Sequence, residues 1–327
     1  MLADTLNYLR NPNFALVTVT TACNCRCLAC DAWREPKDID AQRFVSGLQR
    51  LKDAGFGLVE FTGGEPTLFK DLPYLVSSAR ALGLFVQVMT NGTTMTPELA
   101  ASLAKAGTNL VNVSVDHYDD SIASEYRSFR NINSRLERTV SLLKQHGLFV
   151  SSTTLITRQN CEDIEKVIEY VNDSLGITFA FCPPASADFL AFGKTGLDKV
   201  DVSREKLVEI YERILRAKRS GARIFNTTAY IRDSIRWLKG RKVRYLCKAG
   251  KNILYVNTEL DVFPCFRKQK ICSLEEFSSA VLKDLKCNEC NLECFREPTI
   301  YYSLRGKLEY MADLRALFDY ARSARVI

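Results

Sequence analysis

The chain has 327 residues, of which 46% are apolar and 25% are charged, and its net charge is +7. This composition is typical of a soluble globular protein, and the length suits one large α/β domain with an appendage. The absence of an apolar run of about 18 residues, of a signal peptide and of a dense Lys/Arg arm argues against membrane insertion, secretion and nucleic-acid binding. We therefore expect a cytoplasmic protein, and we interpret its twelve cysteines as metal ligands and not as disulfides.

The first predicted strand covers residues 14–20 and leads into a loop that holds Cys23, Cys25, Cys27 and Cys30. Three of these cysteines, Cys23, Cys27 and Cys30, are spaced C-x3-C-x2-C. Such a loop can give three thiolates to an iron–sulfur cubane and leave its fourth iron open. Cys25 is an alternative fourth ligand, although a strained loop would be needed to turn all four thiols inward. A zinc site or a set of buried thiols is the other interpretation, but zinc loops usually pair C-x2-C with a distant second pair.

Strands and helices then alternate along the chain. Further strands are predicted over residues 58–61, 84–90, 110–116, 149–156 and 177–181. Helices are predicted over residues 41–54, 74–82, 98–106, 136–146 and 161–171. Because each crossover helix must cover a sheet face, this order predicts a parallel sheet. Such folds build their sites at the carboxyl ends of the strands, where this chain has Gly63-Gly64-Glu65-Pro66, Asn91-Gly92 and Ser114-Val115-Asp116.

The cysteine loop after the first strand and Gly63-Gly64-Glu65-Pro66 after the second together resemble the radical S-adenosylmethionine (SAM) enzyme superfamily. The resemblance covers residues 14–181, and Asn91-Gly92 and Ser114-Val115-Asp116 extend it. It implies a partial (β/α)6 TIM-like barrel, which we assign to residues 1–222, with a 4Fe–4S cluster on the three spaced cysteines. One departure is Ala29, since many members have an aromatic residue just before the last cysteine. Trp33 and Phe61 are candidates to replace that aromatic residue beside the adenine.

The resemblance also implies how SAM would be held, with its amino and carboxylate groups on the open iron. Gly64 and Glu65 would seat the amino group, and the two glycines would let the backbone approach the ligand closely. Ser114 and Arg135 are candidates to bind the carboxylate of SAM, with Arg138 as an alternative to Arg135. The other interpretation of Arg135 is that its side chain extends from a helix into solvent. The full set of implied cofactor-binding residues is Gly63, Gly64, Glu65, Pro66, Asn91, Ser114, Asp116 and Arg135.

The chemistry that this resemblance implies is reductive cleavage of SAM. An electron from the cluster would yield a 5′-deoxyadenosyl radical, which abstracts hydrogen from a substrate. A low-potential donor such as flavodoxin or ferredoxin would supply the electron. The motifs assign no catalytic residue beyond the cofactor site.

The pattern changes after residue 181. Residues 182–193 contain aromatics and a proline pair, and we interpret them as a substrate loop at the barrel mouth or as an ordinary long connection. Helices are predicted over residues 204–219, where Ser203 is the cap, and over residues 233–238. Leucines and aromatics at helical spacing predict a further helix over residues 308–324, packed on the barrel or on a partner.

A second group of cysteines lies in residues 223–327, which we assign to an auxiliary domain: Cys247, Cys265, Cys272, Cys287, Cys290 and Cys294. A predicted β-hairpin of residues 253–257 and 261–265 would bring Cys265 close to Cys247. The arrangement resembles the SPASM and twitch extensions of the superfamily, and the twitch form, with one auxiliary 4Fe–4S cluster, fits better. The favoured ligands are Cys247, Cys265, Cys287 and Cys290, with Cys294 as substitute or neighbour and Cys272 outside the pattern. A four-thiolate zinc ribbon is the alternative.

Three classes of function stay open. The first is a radical SAM enzyme that oxidises or cross-links a peptide, a sugar or cyclitol, or a lipid. Because the first strand is predicted to begin by about residue 14, we expect no peptide-recognition domain before it, which weakens the case for a substrate with a leader peptide. The second is a radical enzyme of nucleotide or cofactor assembly, although the chain ends in Arg-Val-Ile and not in the glycine-rich tail of the first molybdopterin enzyme. The third is a non-enzymatic iron–sulfur protein for electron transfer, which would need no Gly-Gly-Glu-Pro element.

Overall fold

Nine strands form the sheet that organises this computed structural model, which describes residues 13–184 and 197–312. The strands are β1 Asn13–Thr20, β2 Phe56–Gly63, β3 Phe85–Thr90, β4 Leu110–Ser114, β5 Phe149–Leu155, β6 Phe181–Cys182, β7 Ile253–Val256, β8 Asp261–Phe263 and β9 Cys272–Ser273. Their order across the sheet is β6-β5-β4-β3-β2-β1-β7-β8-β9. All neighbours from β1 to β6 are parallel. The predicted α/β fold with a parallel sheet is therefore confirmed.

Helices pack against this sheet, most of them on its outer face. They are α1 Ala41–Asp53, α2 Leu72–Ala81, α3 Pro97–Ala106, α4 Asp120–Arg127, α5 Ile132–Gln145, α6 Ile164–Glu169, α7 Leu197–Val200, α8 Arg204–Arg219, α9 Thr228–Leu238 and α10 Glu293–Ile300. The predicted cap is present, since Ser203 accepts a hydrogen bond from the Lys206 amide at the start of α8. The sequence patterns did not predict α4, whose eight residues carry few apolar side chains.

Alternate residues of each strand face opposite sides of the sheet, as the pleat requires. In β3, Val86 and Val88 point outward into the core beneath the helices. Phe85, Gln87 and Met89 point inward and line a central cavity. The sheet therefore has a packed hydrophobic core between its outer face and the helices, and a cavity on its inner face.

The cysteine-rich tail continues the barrel sheet. β7 pairs in parallel with β1, and β8 pairs antiparallel with β7, which confirms the predicted hairpin. α10 contacts the edge strand β6 and α9. A buried ion pair of 2.9 Å between Arg296 and Asp233 ties α10 to α9. The two predicted domains thus share one sheet and one set of buried polar contacts.

Two predicted segments lie partly outside the described residues: residues 185–193 of the expected substrate loop and residues 313–324 of the expected last helix. The helix begins earlier than the predicted residue 308, since residues 304–312 are helical. None of the helices within 13–184 and 197–312 combines the length and the apolar character that a membrane crossing requires.

Candidate active site

The cysteine loop is held in place by backbone hydrogen bonds to the end of α4. The Arg26 amide donates to the Arg127 carbonyl at 2.9 Å, and the Leu28 amide donates to the Tyr126 carbonyl at 3.0 Å. Trp33 donates from Nε1 to the Cys30 carbonyl at 2.9 Å. Trp33 therefore lies at the loop, as expected, whereas Phe61 packs against Phe44 in the outer core, with ring centroids 5.9 Å apart.

Cys25 lies buried inside the loop, between two of the predicted ligands. Its thiol is hydrogen-bonded to both Cys23 and Cys27, which lowers the pKa of Cys23 to about 7 and also lowers the pKa of Cys27. Asn91 lies beside them, with Nδ2 3.4 Å from the Cys25 sulfur and 3.9 Å from that of Cys23. Burial raises the pKa of Cys30 to about 11. Two of the three spaced thiols are thus easily deprotonated, as a metal ligand requires.

A buried arginine faces these thiols. Arg127 is 7% exposed and forms an ion pair with Asp116, which is equally buried. Burial alone would lower the pKa of Arg127, but Asp116 and Cys27 raise it well above its usual value. A cation at this position offsets the negative charge of deprotonated cysteines. No motif in the sequence singles out Arg127, because α4 brings it to the loop from a polar stretch.

Replacing Arg127 should cost more stability than any ordinary surface change. We expect Arg127→Met to lower the free energy of unfolding by about 3–5 kcal/mol, because Asp116 is left as an uncompensated buried charge. The double variant Asp116→Asn with Arg127→Met should recover part of that loss. Urea denaturation checks this, with the exposed Arg130→Met as the matched control. An unchanged midpoint for Arg127→Met would show that the pair does not hold the site together.

The two glycines of Gly63-Gly64-Glu65-Pro66 pack on the cysteine loop. A Cβ at Gly63 would lie 2.0 Å from the Thr20 carbonyl oxygen, and one at Gly64 would lie 2.3 Å from that of Ala22. Gly63 has a φ of +148°, which disfavours any side chain. The Gly64 amide donates to Thr20 O at 2.7 Å, and the Glu65 amide donates to Ala22 O at 2.8 Å. The close approach that these glycines allow is therefore to the loop's own backbone.

The Glu65 carboxylate is fully buried and joins the ends of β2 and β3. It accepts hydrogen bonds from Thr90 Oγ1 at 2.7 Å, from the Asn91 amide at 2.6 Å, and from the amide and hydroxyl of Thr67. Burial raises its pKa, and these hydrogen bonds oppose the rise. Only the Asn91 bond goes to Oε2. Since each carboxylate oxygen has two lone pairs, Oε2 can still accept a donor from a ligand.

Glu65→Ala should weaken both SAM binding and folding. We expect SAM affinity to fall about tenfold or more, because a charge-assisted hydrogen bond contributes roughly 1.5–3 kcal/mol. We also expect the free energy of unfolding to fall by about 1–3 kcal/mol, because Thr90 and Asn91 lose their acceptor. Iron content should be unchanged. Equilibrium dialysis and urea denaturation separate the two effects, and reduced stability with unaltered SAM affinity would contradict a role at the cofactor.

The structure does not bring the two predicted carboxylate ligands of SAM into one groove. Arg135 extends from α5 and donates to the Thr93 carbonyl at 3.4 Å, with its guanidinium 5.1 Å from the Phe129 ring. Arg138 lines the same groove, which has a volume of about 650 Å³. Within the described residues, Ser114 is not among those lining it. Ser114 ends β4, two residues before the buried Asp116.

Four of the tail cysteines come together. Cys247 and Cys287 form an antiparallel bridge, with N–O distances of 2.9 Å and 3.3 Å. Cys265 and Cys290 are close enough to interact electrostatically with this pair. Cys294 lines the central cavity instead, and Cys272 lies on β9. The structure thus gathers Cys247, Cys265, Cys287 and Cys290 and places Cys294 beside them on another surface.

The central cavity has a volume of about 340 Å³ and runs along the inner faces of β1–β6. Thr62 and Met89 line the cavity near the carboxyl ends of β2 and β3, one residue before Gly63 and two residues before Asn91 of the predicted cofactor site. α10 supplies part of the wall through Glu293, Cys294 and Glu297. A ligand in this cavity would therefore lie next to the cysteine loop and within the protein interior.

Comparison with known proteins agrees with this geometry. Residues 17–171 match the sequence model of the radical SAM superfamily. The PqqA peptide cyclase of Xanthomonas axonopodis pv. citri is 32% identical over 163 residues, which are 48% of this chain and 43% of that protein. The Fe-coproporphyrin III synthase of Methanosarcina barkeri is 31% identical over 161 residues, 47% of this chain and 40% of that protein. The matched stretches therefore span less than half of these relatives.

Solved structures show the same fold at low sequence identity. Streptococcus suis SuiB bound to S-adenosylmethionine superposes with a TM-score of 0.66 at 16% identity, covering 87% of this chain and 70% of SuiB. Native anSMEcpe with bound AdoMet superposes with a TM-score of 0.64 at 17% identity, covering 96% of this chain and 98% of anSMEcpe. Residues 17–171 thus match the radical SAM superfamily in sequence, and the fold of the chain is similar to that of SuiB and anSMEcpe.

Proposed function

We propose that this protein is an enzyme that reductively cleaves SAM to a 5′-deoxyadenosyl radical and abstracts hydrogen from a substrate in the barrel. The observation that carries the proposal is the direct backbone connection between the cysteine loop and the Gly-Gly-Glu-Pro turn, from Gly64 to Thr20 and from Glu65 to Ala22. It joins a cluster-binding loop to a buried carboxylate. An electron-transfer protein would need only the first of these two elements.

The residues present fit a 4Fe–4S cluster on Cys23, Cys27 and Cys30. Two of these thiols have a lowered pKa, and Arg127 supplies a compensating positive charge in the protein interior. When bound, such a cluster supplies the electron that cleaves the SAM sulfonium. Cys25 keeps the interior position, where its thiol is within hydrogen-bond reach of both Cys23 and Cys27.

The chain's own residues would orient SAM. Glu65 Oε2 would accept a hydrogen bond from the amino group, while its other hydrogen bonds fix the carboxylate in position. Arg135, or Arg138 in the same groove, would pair with the carboxylate of SAM, and Asn91 would hold the edge of the site next to the cysteines. The interior of the barrel would keep water away from the reacting atoms.

We further propose one auxiliary 4Fe–4S cluster in the tail, on Cys247, Cys265, Cys287 and Cys290, with Cys294 as neighbour. The convergence of these four side chains supports this assignment. Across residues 13–184 and 197–312, no three His, Cys, Asp or Glu side chains meet at a single-ion position. A tetrahedral zinc site would need its sulfurs to surround one ion, whereas a cubane spreads its ligands over four irons.

The substrate proposed first is a peptide, since the matched relatives include a peptide cyclase and SuiB has been solved bound to the precursor peptide SuiA. The alternative is cofactor assembly, which the Fe-coproporphyrin III synthase and the AdoMet-dependent heme synthase of Oleidesulfovibrio alaskensis support. A cytoplasmic location and a flavodoxin or ferredoxin as electron donor would suit either substrate. All twelve cysteines are free of disulfides, as such a compartment favours.

A deuterium-transfer screen tests hydrogen abstraction and distinguishes these substrate classes. The reduced protein would be incubated with SAM and with deuterated peptide or tetrapyrrole candidates, and 5′-deoxyadenosine would be analysed by mass spectrometry. Deuterium in 5′-deoxyadenosine identifies the class whose hydrogen is abstracted. Consumption of a deuterated candidate without deuterium in 5′-deoxyadenosine would contradict abstraction by the radical.

A further inference from the structure

The central cavity carries an unusual combination of an apolar wall and buried acids. Most of its lining is aromatic or aliphatic, including Phe14, Leu58, Phe85 and Phe149. Three carboxyl groups also reach it, from Glu60 on β2 and from Glu293 and Glu297 on α10. No Lys, Arg or His occurs among its described lining residues. Buried carboxyls without a cation are costly and need an explanation.

Glu297 is already satisfied by the protein. Its carboxylate accepts hydrogen bonds from Asn226 Nδ2 at 2.7 Å and from the Thr227 amide at the start of α9. Burial raises its pKa to about 7. Glu293, one helical turn earlier, is hydrogen-bonded to Glu297, and burial together with the charges of Glu297 and Glu60 raises its pKa well above the usual value. These two groups therefore behave as a pair that shares a proton.

Glu60 has no such partner. It projects from the middle of β2 with 9% exposure, and burial alone raises its pKa to about 8. Within the described residues its carboxyl receives no hydrogen bond and meets no cation. Two strands away on the same inner face, β4 presents Asn112 to the cavity, and its Oδ1 is buried without a hydrogen-bond partner while the residue is 7% exposed. Two polar groups thus point into the cavity with nothing to bind.

We propose that the cavity binds a substrate group with a basic nitrogen at the end of an apolar body, and that Glu60 and Asn112 recognise that nitrogen. A basic nitrogen takes the proton of Glu60 and pairs with the resulting carboxylate, and a remaining N–H can donate to Asn112 Oδ1. The apolar body would lie against the aromatic wall. A single metal ion does not fit, because no three acidic or thiol side chains of the described residues converge on one position.

This inference deepens the proposed function, since it names the chemistry of the substrate in the barrel. It also argues against ligands that would place a carboxylate in the cavity. A substrate that inserts a carboxylate into this cavity would lose its hydration and meet no cation among the described lining residues, so its charge would be left uncompensated. The volume of about 340 Å³ is at the lower end of the range of ligand pockets, about 300–1,000 Å³. A side chain or a small amine would fill it.

Binding of three matched probes to the full-length protein tests the inference: 4-phenylbutylamine, 4-phenylbutanol and 4-phenylbutyrate. Isothermal titration calorimetry should show that the amine binds about tenfold or more tightly than the alcohol, and that the carboxylate binds most weakly. Glu60→Gln should remove the advantage of the amine and leave the affinity for the alcohol unchanged. Glu169→Gln, on the exposed end of α6, is the matched control and should change neither affinity.

Glu293→Gln provides a second variant in case Glu60→Gln does not fold, and it should reduce the preference for the amine only in part. Equal affinities for amine and alcohol, or an amine preference that neither substitution changes, would overturn the inference. SAM cleavage is measured separately on the wild-type protein. Cleavage without amine selectivity would reject only this inference, and amine selectivity without cleavage would reject only the proposed function.

Discussion

Cys27→Ala is expected to abolish SAM cleavage in the reconstituted, reduced protein, whereas Cys25→Ala should leave cleavage largely intact. Three thiolates are the minimum set for this cubane, so the loss of one ligand removes the cluster or its open iron. Cys25 is buried inside the loop, and its thiol is hydrogen-bonded to Cys23 and Cys27 and is not counted as a ligand. Its removal should cost only about 0.5–1.5 kcal/mol of stability, as the loss of one hydrogen bond does.

Iron content and 5′-deoxyadenosine release are the two measurements for this pair of variants. Cys161→Ala is a suitable control, because Cys161 is a buried cysteine far along the chain, next to α6. Loss of the cluster in Cys25→Ala together with its retention in Cys23→Ala would show that the ligand assignment is wrong. The loop would then use its central thiol in place of its first.

A triple variant with Cys23, Cys27 and Cys30 all replaced by Ala should retain about four irons, because one cubane would remain in the tail. The tail ligands lie on the hairpin end and on the Cys247–Cys287 bridge, which are separate from the cysteine loop. The two sites should therefore assemble independently. Removing Cys247 and Cys265 instead should leave the barrel cluster in place and loosen the tail, since bound metal stabilises the geometry that gathers its ligands.

Limited proteolysis locates that loosening. The sequence predicts that it extends over the residues beyond Leu246, but β7 pairs with β1 of the barrel and should stay ordered. We expect new cleavage within residues 283–291, a largely exposed segment that the cluster would hold through Cys287 and Cys290. A triple variant that retains no iron, or only zinc, would contradict the auxiliary cluster and any redox role of the tail.

Local patterns in the sequence were sufficient for most elements of the barrel, although not for α4. The apolar run of β1, the cap at Ser203 and the hairpin of β7 and β8 each have a signal within a few residues, and all three are present. The cysteine spacing and the Gly-Gly-Glu-Pro turn likewise predicted the superfamily. The roles of individual residues in binding cofactor or cluster stay predictions.

The long-range contacts could not be predicted in the same way. Arg127 reaches the cysteines only because α4 packs under their loop, and α4 has too few apolar residues to show helical periodicity. The pairing of β7 with β1 joins residues more than two hundred positions apart, for which one sequence has no signal. The position of Glu60, by contrast, has a signal in the sequence. It is the one charged residue in the run Leu58-Val59-Glu60-Phe61, and the alternation of side chains along a strand assigns it to the inner face.

The most direct test of the central claim is release of 5′-deoxyadenosine from SAM by the anaerobically reconstituted, dithionite-reduced wild-type protein. The account predicts 5′-deoxyadenosine together with methionine, and neither product from the Cys27→Ala variant or from unreduced protein. A wild-type protein that carries its full complement of iron, accepts electrons and binds SAM, yet releases no 5′-deoxyadenosine with or without candidate substrates, would contradict it.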